Sequence, residues 1–257
     1  FAWDLARFGD WADKAFTKAR VRDQYMHRFK IHFPNEERAA GRPVMTRPAY
    51  EMQRGMGAVF GLNAGWEHPL WFADAPGTED TNGFARQNWF EPVGREAAML
   101  RDAVGVIDIS NFGKYEVTGP GAGDWLDALV ANHVPREIGK SCLTPLIGMR
   151  GGVAGDFTVT MTGDESYMMI GSGMAERYHR RFFDMVPLPD GTGFEVATPR
   201  IAGFNVAGPR SREMLAGLTD ADLSNEGWRF MRSRRIAVGG VDCLAIRVSF
   251  TGDLGWE

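Results

Sequence analysis

Apolar residues recur at i, i+3, i+4, i+7 and i+8 over Ala122, Trp125, Leu126, Leu129 and Val130, which predicts an amphipathic helix with one buried stripe. Val93, Ala97, Leu100 and Val104 predict a second helix, and Met174, Tyr178, Phe182 and Met185 a third. Near the start, Trp11, Ala15, Ala19, Met26 and Phe29 lie close to one helical face, with Asp10 placed to cap it and Pro34 to stop it. Core packing is the role expected of that stripe. Pro209 suits the first turn of a helix through Met214 and Leu215. Strands are predicted over residues 112–117, 157–161, 167–170, 194–197 and 204–207. A further hairpin runs from 236–238 through Gly239-Gly240 into 241–250. Helices and strands interleave, but the hairpins argue for antiparallel pairing. The expected class is therefore α+β rather than a doubly wound parallel sheet.

Residues 55–72 include Gly65-Trp66-Glu67-His68-Pro69-Leu70-Trp71-Phe72 and read as an irregular, packed connector. Residues 73–83 are polar turn formers and place a boundary there, giving units 1–83 and 84–257. The charge supports two units: residues 1–55 carry a net of +4 and residues 56–257 a net of −8. The sum, −4, argues against an electrostatically driven nucleic-acid binder. With 44% hydrophobic and 24% charged residues the chain is an ordinary globular one, and no apolar run approaches the roughly 18 residues of a membrane helix. Cys142 and Cys243 cannot form a disulfide framework or a four-thiolate zinc site. A reducing compartment is the simpler reading: cytoplasm or, in a eukaryote, the mitochondrial matrix. A start at Phe1 and a stop at Glu257 inside a strand-and-turn pattern predict a piece of a longer protein.

His27, His32, His68, His133 and His179 show no metal-ligand spacing. No nucleophile elbow, Walker loop or dinucleotide fingerprint is present, and Gly171-Ser172-Gly173 reads as a tight turn. Two segments stand apart. Gly151-Gly152-Val153-Ala154-Gly155-Asp156-Phe157-Thr158-Val159 delivers one carboxylate at the start of an apolar strand. Its glycines permit close approach of a flat ligand, and partial desolvation between Gly155 and Phe157 would raise the acid's pKa and suit proton transfer or cation stabilisation. A turn-capping aspartate explains the segment equally well. In the second, residues 247–257, a carboxylate is placed to accept two parallel hydrogen bonds from an amidine-like edge, with Phe250 and Trp256 as flat apolar surface. A plain strand–turn–strand, with Arg247 paired to an acid, fits this segment too.

Ser249-Phe250-Thr251-Gly252-Asp253-Leu254-Gly255-Trp256-Glu257 resembles the Ser-Tyr-Thr-Gly-Glu-Leu-Gly-Trp-Glu motif of the dimethylglycine and sarcosine dehydrogenases, whose C-terminal half is similar to the glycine-cleavage T-protein, an aminomethyltransferase. Asn88-Trp89-Phe90-Glu91-Pro92-Val93-Gly94, Asp108-Ile109-Ser110-Asn111-Phe112-Gly113-Lys114, Gly171-Ser172-Gly173 and Val206-Ala207-Gly208-Pro209 also match that family. Ala40-Gly41-Arg42-Pro43 and Gly65-Trp66-Glu67 resemble its connector between flavin domain and T-protein-like half. The resemblance covers essentially the whole chain, and its motifs fall in the family's order.

The resemblance implies an FAD-dependent oxidation of an N-methylated glycine, with the one-carbon unit passed to tetrahydrofolate to give 5,10-methylenetetrahydrofolate. It implies flavin bound mainly upstream of Phe1, and either oxygen or a flavoprotein as electron acceptor. It assigns Asp156 beside the reactive folate nitrogens and Glu257 to the pterin's amino and ring N–H groups. The motif's aromatic falls on Phe250, Leu143 falls on a ligand-lining position that is often Tyr or Thr, Thr158 on a backbone contact in the strand after the acid, and Gly171 where T-proteins often have Asn. Departures are Phe250 for Tyr, which removes a hydroxyl, Asp253 for Glu, an apolar Leu143, and Gly155 for the first acid of an Asp-Asp pair. A stand-alone folate-dependent transferase and a non-catalytic regulatory relative are the competing readings.

Overall fold

The computed structural model describes residues 4–257. In chain order the helices are α1 (Lys14–Met26), α2 (Tyr50–Gly55), α3 (Phe90–Asp102), α4 (Ala122–Leu129), α5 (Glu176–Phe183) and α6 (Ser211–Ala216). The strands are β1 (Ala58–Asn63), β2 (Trp66–Phe72), β3 (Gly105–Asp108), β4 (Gly113–Thr118), β5 (Ser141–Ile147), β6 (Val153–Gly163), β7 (Ser166–Gly171), β8 (Gly193–Val196), β9 (Phe204–Ala207), β10 (Arg232–Val238), β11 (Val241–Arg247) and β12 (Gly255–Trp256). Two compact units divide the chain, one running up to Ala98 and the other from Met99 to Glu257. The expected α+β class is the observed one: helices mixed with antiparallel sheets.

In the first unit, α1 is capped by Asp13 and not by Asp10. The Asp13 carboxylate accepts from the Phe16 backbone N–H at 2.7 Å, whereas Asp10 lies a turn too early. Trp11 is not part of the helix and packs edge-on against the Phe16 ring, with centroids 5.1 Å apart. The stripe expected to pack into a core does not: α1 buries none of its residues, Met26 is 67% exposed, and Phe29 lies beyond the helix in solvent. The stretch 55–72 is likewise no irregular connector. It folds as the antiparallel β1–β2 hairpin, turning at Ala64-Gly65, both with positive φ. Pro69 sits opposite Phe60, where the register shifts, which is how a strand accommodates a residue lacking an N–H. No helix or strand is formed over 73–83.

The second unit is built on a five-stranded antiparallel sheet of order β5-β6-β7-β4-β8. One face carries Tyr115, Val117, Phe157, Val159, Tyr167 and Met169 and is closed by α4 and α5 through Trp125, Leu126, Leu129 and Phe183. The α4 stripe is buried as its period predicted. The α5 stripe is turned by one position. His179 and Phe183 face inward, the His179 ring packed on Phe157, while Phe182 is only partly buried and Met174 and Met185 stand in solvent. Strands β3 and β5 carry no clean alternation and escaped the pattern; they pair with β9 and β6. A three-stranded sheet, β12-β9-β3, and the β10–β11 hairpin complete the unit. Both glycines of that hairpin turn, Gly239 and Gly240, have positive φ, as the type of turn requires.

Candidate functional site

The register across the large sheet fixes what shares its second face. Thr158 lies between Phe157 and Val159, both in the core, so its side chain points to the other side. Leu143 opposes Thr158, Thr158 opposes Ile170, and Ile170 opposes Lys114. These four form one cross-strand row over β5, β6, β7 and β4, about 14 Å long at the usual strand spacing. Asp156, opposite Pro145, lies two residues along β6 on the same face. The row is apolar at Leu143 and Ile170 and hydroxylic at Thr158. Leu143 is 58% exposed and Asp156 is exposed as well. The expected desolvation of Asp156 between Gly155 and Phe157 is absent here: Phe157 turns into the core and leaves the carboxylate in water.

The Lys114 end of the row is different. Its ammonium is buried and donates to the carbonyls of Phe112 at 3.0 Å, Ser110 at 3.1 Å and Ile109 at 3.4 Å. Glu257 follows β12, and its backbone exchanges hydrogen bonds with Ile246 at 2.6 and 2.9 Å. Burial pushes the Glu257 carboxyl above the ordinary glutamate range, opposed by a hydrogen bond from Asn205 and by the charge of Lys114. One row thus runs from an exposed acid on β6 towards a desolvated acid beside β4. That set fits a flat, partly apolar ligand with a donor-rich edge: the apolar row offers contact area and Glu257 offers partly desolvated acceptors.

Not every predicted residue joins the row. Gly171 opposes Phe157, so it faces the core; a Cβ there would lie 2.5 Å from the Phe157 ring. Phe250 is 95% exposed, on the loop before β12. Beside that loop is a cavity of about 350 Å³ lined by Phe230, Arg247, Val248, Ser249, Leu254 and Gly255, away from Asp156. Among the described residues no cluster of His, Cys, Asp and Glu is arranged to hold a metal, no helix is long and apolar enough to cross a membrane, and both cysteines are free. Sequence reasoning missed Lys114, Asn205 and His179. The i, i+4 pair His179–Phe183 was the available signal for the last.

The chain matches the family model described as GCVT N-terminal domain over residues 49–257. It belongs to that family. Residues 1–46 match a second model, FAD dependent oxidoreductase central domain. The GCVT chain is 34% identical over 258 residues to the mitochondrial dimethylglycine dehydrogenase of Mus musculus, covering 99% of this chain and 30% of that protein. Human mitochondrial sarcosine dehydrogenase is 28% identical over 282 residues, covering 94% of this chain and 31% of that one. The GCVT chain therefore spans about 30% of the length of these dehydrogenases. The glycine cleavage system aminomethyltransferase T from Bartonella henselae superposes with a TM-score of 0.63 at 23% identity, over 83% of this chain and 53% of that one, which shows a shared fold. The resemblance drawn from the motifs is thus the family found.

Proposed function

We propose that this chain is the connector (residues 1–83) and the first part of the folate-binding half (residues 84–257) of an FAD-dependent N-methylglycine demethylase that hands its one-carbon unit to tetrahydrofolate. The observation that carries this reading is that Asp156 shares a sheet face with the Leu143–Thr158–Ile170–Lys114 row, whose Lys114 end is within electrostatic reach of Glu257, in a chain whose relatives are dimethylglycine and sarcosine dehydrogenases. Bound flavin supplies the oxidation of the N-methyl group, and tetrahydrofolate the nucleophilic nitrogens that take up the carbon.

Within that reading, Glu257 accepts from the pterin's amino and ring N–H groups. Its partial desolvation strengthens each of those bonds relative to water. Leu143, Thr158 and Ile170 lie under the ligand's flat face and set its height above the sheet. Asp156, exposed on the sheet face, moves a proton at the reacting nitrogen and stabilises the developing cation once the ligand displaces the surrounding water. Phe250 folds in only with the loop that carries it, and Gly171 acts by making room for Phe157.

Titrating the full-length protein with tetrahydrofolate while following tryptophan fluorescence tests this. Saturable quenching is expected, along with an Asp156→Asn variant that still binds but yields little 5,10-methylenetetrahydrofolate. No binding, together with an unchanged product yield in that variant, overturns the folate assignment.

A further inference from the structure

The buried histidine behind Asp156 is not part of the row, yet it lies against the Ala154-Gly155 backbone before that acid and the Phe157 ring after it. His179 comes from α5 and is 1% exposed. Its Nδ1 lies 3.4 Å from the Tyr115 hydroxyl. The imidazole also interacts with the backbone of Ala154. The ring stands edge-on to Phe157, with centroids 4.7 Å apart. A Cβ on Gly155 would fall 2.5 Å from Nε2, so the ring fills the space that any side chain at 155 would need. Ala154, Gly155 and Phe157 are therefore each held by one side chain on the core face, while Asp156 projects from the other face. An aromatic core with Phe183 and Phe194 at hand would be filled as well by another phenylalanine. A histidine there adds only its two polar atoms, and its polar contacts are to Tyr115 and Ala154.

Resting on the reading that Asp156 serves one-carbon transfer, we propose that His179 is a positioning residue for Asp156, fixing the strand that aims its carboxylate at the reacting nitrogen. It touches neither substrate nor folate. Burial holds the imidazole neutral at physiological pH, so it acts as a fixed donor and acceptor and not as a charge. The same helix braces a second point. Glu176, three residues earlier, accepts from the Thr198 hydroxyl, which in turn takes the Lys114 backbone N–H at 2.9 Å. Thus α5 grips β6 behind Asp156, and through Thr198 it grips β4 behind Lys114.

The test is a double-mutant cycle in the full-length enzyme, with His179→Phe and His179→Gln placed in the wild-type and the Asp156→Asn backgrounds. His179→Phe is expected to lower kcat for tetrahydrofolate-dependent transfer about tenfold, as misaiming a catalytic group does, while KM for tetrahydrofolate stays within about twofold. His179→Gln, which keeps a donor and an acceptor, restores most of that loss. In the Asp156→Asn background neither change costs more, because there is no longer a carboxylate to aim. A residue that merely fills the core gives the same loss in both backgrounds, and that result overturns the proposal. So does a His179→Phe enzyme with wild-type kcat. If His179→Phe fails to fold, His179→Leu, which also removes both ring nitrogens but in a smaller volume, carries the cycle. A wild type that makes no methylenetetrahydrofolate overturns the folate reading and this inference with it; a wild type that does, with additive variants, overturns this inference alone.

Discussion

The two units of the chain keep their shape by different means. Up to Ala98, the buried side chains among the described residues are as much polar as apolar: Trp71 and Ala73 on one side, Arg47, Gln53 and Glu67 on the other. Arg42 pairs with Glu67 at 2.6 Å and also donates to the Phe60 carbonyl, and Arg47 stacks 3.5 Å from the Trp66 ring centroid. From Met99 onward an aromatic and aliphatic core lies between a sheet and two helices. The contrast teaches that an amphipathic stripe states a demand for burial and not its fulfilment. The α4 stripe is met by a sheet face, whereas in α1 Val21, Tyr25 and Met26 stay in solvent.

A large effect that would sharpen this contrast is at Glu67. Glu67→Ala removes the buried bidentate partner of Arg42, leaving the guanidinium Glu37 at 3.4 Å and the Phe60 carbonyl, and is expected to cost about 3 kcal/mol, read from denaturant unfolding. A loss below about 1 kcal/mol would show that the first unit does not depend on its ion pair. Next comes a matched pair of helix truncations. Leu126→Ala in α4 removes a fully buried side chain and should cost about 2–5 kcal/mol, against under about 0.5 kcal/mol for Met26→Ala in α1. Equal costs would break the comparison, since they would mean that the α1 face is covered in solution.

A third test is a pH dependence that arises in the second unit. Burial lowers the His179 pKa from 6.5 to about 4, so the fold keeps the ring neutral where the unfolded chain takes up a proton. The stability from this group is complete above pH 6.5 and is lost as pH falls towards 4. A His179→Gln protein should lose less stability than wild type across that window, measured by thermal unfolding at stepped pH. Parallel curves would contradict a buried neutral imidazole.

Most of the second unit was legible because its elements carry strong local signals. The period of α4, the Gly163-Asp164-Glu165 link between β6 and β7, and the Gly239-Gly240 turn each specify a structure over a few residues. Strand β5 was not legible, since its side chains are divided between a core face and an open face by neighbours distant in sequence. For the site, the motifs nominated Asp156, Leu143, Thr158 and Glu257, but nothing local tells which of them share a surface. Only the register of four strands puts Leu143, Thr158 and Asp156 on one face with Lys114 and turns Gly171 to the other. His179 escaped notice for the same reason, because what makes it special is the Gly155 backbone pressed against its ring.

The sequence by itself determined the α+β class, the family, the hairpins of the second unit and the acids worth watching, because periodicity, turn chemistry and motif order are written over short spans. The tertiary structure decided which stripes were buried, which acid was desolvated and which histidine stood behind it. Burial and electrostatic environment are properties of the residues that meet across the fold, and a chain read in order does not contain those meetings.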